Sequence, residues 1–399
     1  MDGLLYGRLS VMVYLQFAIW GAWLPVLAAR LMGPLKFSAK QSGWIYSSFA
    51  IASLIAPMLA GQIADQWIAA EWFLAGAHLI GAILLLMVSK EKTFPKVFIT
   101  MFFYCLCYAA TLPLMASLMF TQLGKVYTDK ALLGDAAMKM FLWAPVAWVL
   151  SGWILTAWRR RKGTGDGSDC LKLAAGFSFV MALYCLTLPH TPPKGVAAEM
   201  LPFLEALSML KDTNFLIFII LSFAVSSLTY FYFLGTARFL GDIGVHSNNI
   251  PAVMTFAQVV EIIAKLVLFG LFMKYVGGYN WAFAIGTGAW LVLMLSYAVG
   301  KPKWFVIIAQ GLHGIGYTFF MNGGQIYVNS VATPETVSSA QGLITVVTQG
   351  LGVIVGAQVA GFVMDHFKAG DKFQWRKIFL VPCTALLICV LAFIFIFKG

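Results

Sequence analysis

The fold class this sequence predicts is an all-α polytopic membrane protein with twelve transmembrane helices, and three observations predict it. At 61% hydrophobic and 11% charged, with a mean hydropathy of +0.85, the chain carries more apolar surface than a water-soluble core can bury. Apolar runs of roughly 20 or more residues recur along it, each long enough at 1.5 Å per helical residue to cross a hydrocarbon layer about 30 Å thick. Those runs are continuously apolar, whereas a transmembrane barrel needs strands of about ten residues that alternate lipid-facing and lumen-facing positions.

The expected spans are 8–30, 42–64, 72–89, 96–123, 138–157, 171–189, 214–240, 250–275, 279–299, 303–331, 338–366 and 376–397. The first run is too long for a cleaved signal peptide, lacks a basic leader and is followed closely by a second run, so it is expected to stay as helix one. Cys105, Cys107, Cys170, Cys185, Cys383 and Cys389 show neither zinc-like nor disulfide-framework spacing. No metal or other cofactor is expected. The net charge of +11 would suggest nucleic acid in a soluble protein. Here the basic residues lie in short loops beside apolar spans, where anionic lipid is the expected partner.

The longest hydrophilic interruption, HTPPKGVAAEMLPFLEALSMLKD, falls midway along the chain and contains adjacent prolines. It divides an N-terminal bundle at 1–190 from a C-terminal bundle at 213–399, with 191–212 as the connecting loop. A six-plus-six plan suits alternating access, in which two bundles rock about a polar site near the mid-membrane. Short loops elsewhere make successive helices antiparallel neighbours, so a solute site must come from side chains on several helices. In the eleventh span Gly352, Gly356 and Gly361 permit close helix approach, either for packing alone or as a surface that slides.

Polar side chains at bilayer depth are costly unless paired or facing a wet cavity, so they carry most of the functional information. In TFAQVVEIIAKL, Gln258, Glu261 and Lys265 fall on one helical face. Two readings follow: a cavity wall whose amide and carboxylate meet a solute, or an internal Glu261–Lys265 ion pair that neutralises two stranded charges. GLHGIGYTFFMNGGQIYVNS sets His313, Tyr317 and Thr318 among aromatics and glycines, with His313 and Tyr317 aligned at i, i+4. A lone helical histidine is more often a structural donor than a proton relay. Thr229 and Tyr232 share a face in the seventh span, Gln16 and Trp20 in the first, and Tyr108 and Thr111 in the fourth. Gln16, Trp20, Tyr108 and Thr111 suit a cavity for a flat heterocycle, while the tyrosines of the seventh span read equally as cavity or as membrane-belt residues. Lys139 and Trp143, one turn apart at the start of the fifth span, could add a cation and a ring to the site or could be interfacial.

These motifs resemble the nucleoside:proton symporter family of the major facilitator superfamily. The resemblance runs from helix one through helix eleven. It is carried by LQFAIWGAWLP at 15–25, LKFSAKQSGWIYSSFAIASLIAPMLAGQIADQWI at 35–68, QVVE at 258–261, HGIGYTFF at 313–320 and SSAQGLI at 338–344. It implies a major facilitator fold of two six-helix bundles and a nucleoside substrate bound by Gln258 and Glu261. Thr229, Tyr232 and Tyr317 match pocket positions, and Asp65 in GQIADQW becomes a conformational latch. It further implies the inner cell membrane, cytoplasmic termini and a chain that works as a monomer.

Three departures stand out. Lys139 and MFLWAPVAW replace an arginine followed by a Trp-Gly-Thr run, which removes bidentate recognition by a guanidinium. Thr318 stands where well-matched members carry an acidic residue, which removes a candidate proton carrier, leaves Glu261 as the main proton-coupling candidate and keeps facilitated diffusion open, and Lys265 has no expected counterpart. These changes keep open a carrier or uniporter for another polar solute, such as a sugar or another heterocycle. A sensor or an intramembrane enzyme is disfavoured, because the chain has no HExxH, GxSxG or phosphate-binding loop. The loops after odd-numbered helices hold about eighteen Lys and Arg against about eight on the other side, which by the positive-inside rule puts the termini outside. The resemblance puts them in the cytoplasm, and it is preferred because it spans most of the chain. A cysteine placed in the 159–169 loop should therefore react with an impermeant maleimide from outside the cell, and labelling from the cytosol would reverse the topology.

Overall fold

The computed structural model describes residues 3–193, 202–333 and 336–399, and they are overwhelmingly helical. In chain order the long helices are α1 (Gly3–Met32), α2 (Ala39–Gln66), α3 (Ala70–Lys90), α4 (Phe94–Gly124), α5 (Leu132–Lys162) and α6 (Asp169–Cys185). They continue as α7 (Thr213–Asp242), α8 (Ser247–Tyr275), α9 (Tyr279–Val299), α10 (Lys303–Val331), α11 (Val337–His366) and α12 (Trp375–Phe395). A short antiparallel ribbon, β1 (Lys368–Ala369) with β2 (Lys372–Phe373), turns the chain between the last two helices.

Among the described residues, 10 helices are long and apolar enough to cross a membrane. The expected spans at 42–64 and 171–189 correspond to α2 and α6, which are not among them. The 17 residues of α6 rise about 26 Å, less than the ~30 Å of hydrocarbon. In α2 the side chains at 57–59, 61, 62 and 65 lie outside the described set, Asp65 included, and so does 194–201 of the expected central loop. Helix α5 starts earlier than the expected 138, because the Asp129 carboxylate accepts from the Leu132 amide at 3.0 Å and caps the first turn.

The chain forms two compact units, Met1–Arg30 with Ile51–Met200 and Leu31–Ala50 with Leu201–Gly399. In the first unit α1 packs on α5 and α6, and α3 lies against α4 and α6. Helix α3 shows why: Leu74, His78, Gly81, Leu85 and Val88 form its buried stripe, while Leu79, Ile80, Ile83, Leu86 and Met87 point outward. An outward stripe this apolar suits lipid. Gly21 of α1 receives the Trp148 ring of α5, where a Cβ would stand 2.9 Å from it. At the α5–α6 end, Arg159 makes a two-pronged, buried pair with Asp169, at 2.5 Å and 2.8 Å. The basic run 159–162 therefore spends its first member on the protein rather than on lipid. Next to it Asp166 faces Arg30 at 3.5 Å. Partial burial pushes its carboxyl up, but bonds from Ser168 and the charges of Arg30 and Lys172 outweigh this and hold it below the usual carboxylate range.

The second unit repeats the plan, with α7 on α11 and α12, and α9 against α12 and α10. Its core is aromatic: Phe218, Phe283, Phe320, Phe393 and Phe397 meet ring to ring at 5.2–6.1 Å. The expected glycine seam is present. A Cβ on Gly352 would lie 3.0 Å from the Ser226 side chain, one on Gly361 would lie 2.8 Å from the Ala39 carbonyl and the Lys40 Cα, and one on Gly356 would overlap the Ser227 backbone. Beyond the seam, the Asp365 carboxylate accepts from the amides of Ala39 and Lys40 at 2.8 Å and 2.9 Å. A carboxylate there satisfies the free N–H groups that open α2 and complements its dipole. Three helices of this unit contain π-helical stretches, Ala264–Leu268, Tyr317–Asn322 and Val346–Leu351, a form that concentrates at functional sites.

Because the Gly356 contact is backbone against backbone, Gly356→Ala should destabilise the fold by about 1–3 kcal/mol, read as a lower melting temperature in detergent. Gly76→Ala, whose Cβ would meet nothing within 4 Å, should leave that temperature unchanged.

Candidate functional site

The second unit concentrates its polar side chains where α7, α8 and α10 converge. Gly314 of α10 makes this approach by lying directly on the α8 backbone at Ala257 and Glu261, with no room for a side chain. That contact brings the Gln258–Glu261 turn beside Tyr317. Lys265 Nζ pairs with Glu261 Oε1 at 2.5 Å and lies 5.5 Å from the centre of the Tyr317 ring. The ion-pair reading of this face is thus realised, with Lys265 partly exposed and Glu261 nearly buried. Gln258 is also buried and meets no side-chain partner among the described residues.

His313 is 2% exposed. Its Nδ1 accepts from Trp290 Nε1 at 3.1 Å, and an indole N–H can only donate, so the neutral imidazole carries its proton on Nε2. Tyr232 stacks flat on it, with ring centres 4.0 Å apart and 13° between planes. Each ring thus covers one face of the other. Thr229 spends its hydroxyl on the Ser226 carbonyl at 2.7 Å, a local bond that accompanies the break between the two halves of α7. Thr318 is buried, and its hydroxyl lacks a protein partner among the described residues.

In the first unit the expected residues form a closed network. Gln16 Nε2 donates to Thr111 Oγ1 at 2.8 Å, and Thr111 donates in turn to the Tyr108 carbonyl at 2.7 Å. Tyr108 donates to the Gln16 carbonyl at 2.7 Å. The remaining oxygen of Gln16 meets His78 Nε2 at 2.9 Å, so that nitrogen carries the proton. Ser178 closes the circuit on the His78 carbonyl at 2.7 Å. Gln16, Tyr108 and Thr111 hold three helices together here instead of presenting free groups. Trp20 is half-buried against Tyr108 and Trp148, with ring centres 6.0 Å and 5.9 Å away. Trp143 is half-buried and Lys139 is exposed, on either side of the turn that interrupts α5 at Leu142.

Sequence reasoning missed His78, Trp290 and Gln310. A signal was present for two of them, since a histidine and a glutamine within apolar runs are costly at bilayer depth.

The family model described as Nucleoside H+ symporter matches residues 4–399. The chain belongs to the nucleoside H+ symporter family. This family member is 26% identical over 412 residues to the nucleoside permease NupG of Escherichia coli (strain K12), covering 98% of this chain and 95% of the permease. It is 29% identical over 408 residues to the putative nucleoside transporter YegT of the same organism, covering 98% and 93%. It also resembles the crystal structure of nucleoside transporter NupG, with a TM-score of 0.87 at 25% identity over 100% of both chains. The symporter is therefore a multi-pass membrane protein of the major facilitator fold, a transporter and not an enzyme.

Since Glu261 and Lys265 neutralise each other in this family member, removing one charge strands the other. Lys265→Met and Glu261→Gln should each lower the melting temperature, and the double variant should be less destabilised than their sum by about 0.5–3 kcal/mol.

Proposed function

We propose that this chain imports nucleosides by alternating access in symport with protons, with Glu261 as the group on which coupling depends. The observation that carries the reading is a carboxylate at bilayer depth, paired to Lys265, beside Gln258 on one helical face and next to the Tyr317 ring. The ribose hydroxyls donate to the Glu261 oxygens, and the Gln258 amide, able both to donate and to accept, reads the base edge. The planar base stacks on Tyr317 or Tyr232, a contact worth roughly 0.5–1.5 kcal/mol beyond the area it buries. Thr318 lends its unspent hydroxyl. Thr229 and His313 act from behind, by shaping α7 and by holding Tyr232. On the first unit, Trp20, Lys139 and Trp143 are further candidate nucleoside contacts, with Gln16, Tyr108 and Thr111 as the frame under Trp20.

We infer twelve membrane crossings in two six-helix bundles, with α2 and α6 as crossings besides the ten apolar helices. The monomer lies in the inner cell membrane with cytoplasmic termini, and Asp65 takes the gating role that the 35–68 resemblance implies.

Labelled uridine and adenosine should enter proteoliposomes faster when an inward proton gradient is imposed, and an excess of glucose should not compete. Glu261→Gln should reduce nucleoside-driven proton uptake by roughly a hundredfold, as the loss of a single proton-transfer group does. Proton uptake that persists in that variant would remove Glu261 from the coupling step. Competition by sugar would instead favour the broader solute carrier, which the replacements at 139–148 support.

A further inference from the structure

Behind Glu261, on the side away from Lys265, the second unit buries polar atoms that the described residues leave poorly satisfied. Among the described residues the Tyr232 hydroxyl and both amide atoms of Gln310 have no hydrogen-bond partner, the Thr236 and Tyr297 hydroxyls meet only each other and without good geometry, and none of the four side chains exceeds 1% exposure. Contacts with neighbouring helices fix how they lie together. Helices α7 and α10 run antiparallel, Phe218 meeting Gly324 and Tyr232 meeting His313. Helices α9 and α10 do the same, Gly286 meeting Phe320 and Trp290 meeting His313. Continued by one to two turns, both pairings bring Thr236, Tyr297 and Gln310 to one level, just beyond the His313 level. Tyr297 lies near the hydroxyls of Tyr232 and Thr236, and Tyr232 lies within electrostatic reach of Glu261. Phe239 and Phe379 pack on Tyr297 at 5.0 Å and 5.1 Å, and the Arg238–Asp242 pair follows one turn on.

Buried polar groups in native proteins are satisfied by protein or by ordered water, while cavities that stay dry are apolar. A patch of three hydroxyls and a carboxamide, with no carboxylate among them, is a site for water and not for a metal cation. We propose that Tyr232, Thr236, Tyr297 and Gln310 line a chamber of ordered water through which the co-transported proton reaches and leaves Glu261 inside the second unit. This rests on the proton coupling proposed above. A hydronium at the far end passes one proton to the first water. Each water or hydroxyl in turn accepts one proton and hands on another, and the last proton adds to a Glu261 oxygen. Every intermediate regains its starting state, and the carboxylate becomes a carboxylic acid. The charged and titratable groups facing Glu261 are Lys265 on its own helix, Tyr232 from α7 and Tyr317 from α10. His313 stands beside the path without joining it, because its Nδ1 is held by Trp290.

The test uses the full chain in proteoliposomes carrying Gln310→Leu, Thr236→Val or Tyr297→Phe, none of which changes a proposed nucleoside contact. Uridine counterflow at equal pH keeps the proton bound, so it should stay within about twofold of wild type, and it doubles as the check on folding. Uridine accumulation driven by a proton gradient, and uridine-induced proton uptake read by an entrapped pH dye, should fall by roughly tenfold or more. Driven uptake that is unchanged, or that falls in parallel with counterflow, overturns the chamber. Tyr297→Phe removes one oxygen and keeps the packing, so it decides the matter if the larger changes impair folding. Absence of proton movement in the wild type would overturn the coupling reading itself, which separates the two failures.

Discussion

A carboxylate at bilayer depth needs a partner, and the pairing of Glu261 with Lys265 is the constraint around which the second unit is arranged. Hydrocarbon supplies no water to a lone charge, so the pair must be made by protein and kept at one depth. Both residues lie on α8 and their ion pair spans the start of the Ala264–Leu268 π-helical stretch. The third group, Tyr317, comes from α10, and it reaches Lys265 only because Gly314 lets the two backbones touch. A side chain at 314 would push the ring away and remove the aromatic face from the cation.

The two units treat polar groups in opposite ways. In the first, Gln16, Thr111, Tyr108, His78 and Ser178 consume one another's donors and acceptors across α1, α3, α4 and α6. A satisfied network of this kind rigidifies the helices that contribute to it. In the second, polar side chains stay open, including Gln310 with both amide atoms unspent. Open polar groups at depth carry a free-energy cost that a purely structural bundle avoids. Among the described residues, unspent polar groups at depth thus gather mainly in the second unit, while the network in the first ties its helices together.

Most of the helical plan was legible, because hydropathy acts on single segments and needs no knowledge of neighbours. Gly352, Gly356 and Gly361 were legible too, since small residues at helical spacing signal close approach. The start of α5 was missed because Asp129, the residue that caps it, precedes a stretch that is too polar to read as a span. The role of Gln16 was misjudged for a different reason. Its partners lie 62 and 95 positions away, and only the rotation of three helices decides whether its amide meets His78 and Thr111 or a solute. The π-helical stretches leave no periodic mark that a pattern of apolar residues reveals.

The same comparison sharpens what Lys265 does beside a single acidic group. The position after Tyr317 holds Thr318, so no second carboxylate shares the proton there, and its buried hydroxyl carries no charge. In the coupling proposed through Glu261, the ionised carboxylate leaves the pair neutral, whereas the protonated one leaves the ammonium, balanced by the Tyr317 ring and by whatever fills the site. The local charge thus alternates between zero and plus one rather than between minus one and zero. In the symport proposed above, a neutral nucleoside supplies no compensating anion, so its hydroxyl and carbonyl oxygens would turn toward Lys265 in the loaded state. Solute and proton then become linked through one ammonium group, since each changes what the other finds there, and that is the reciprocity that coupling between two ligands requires.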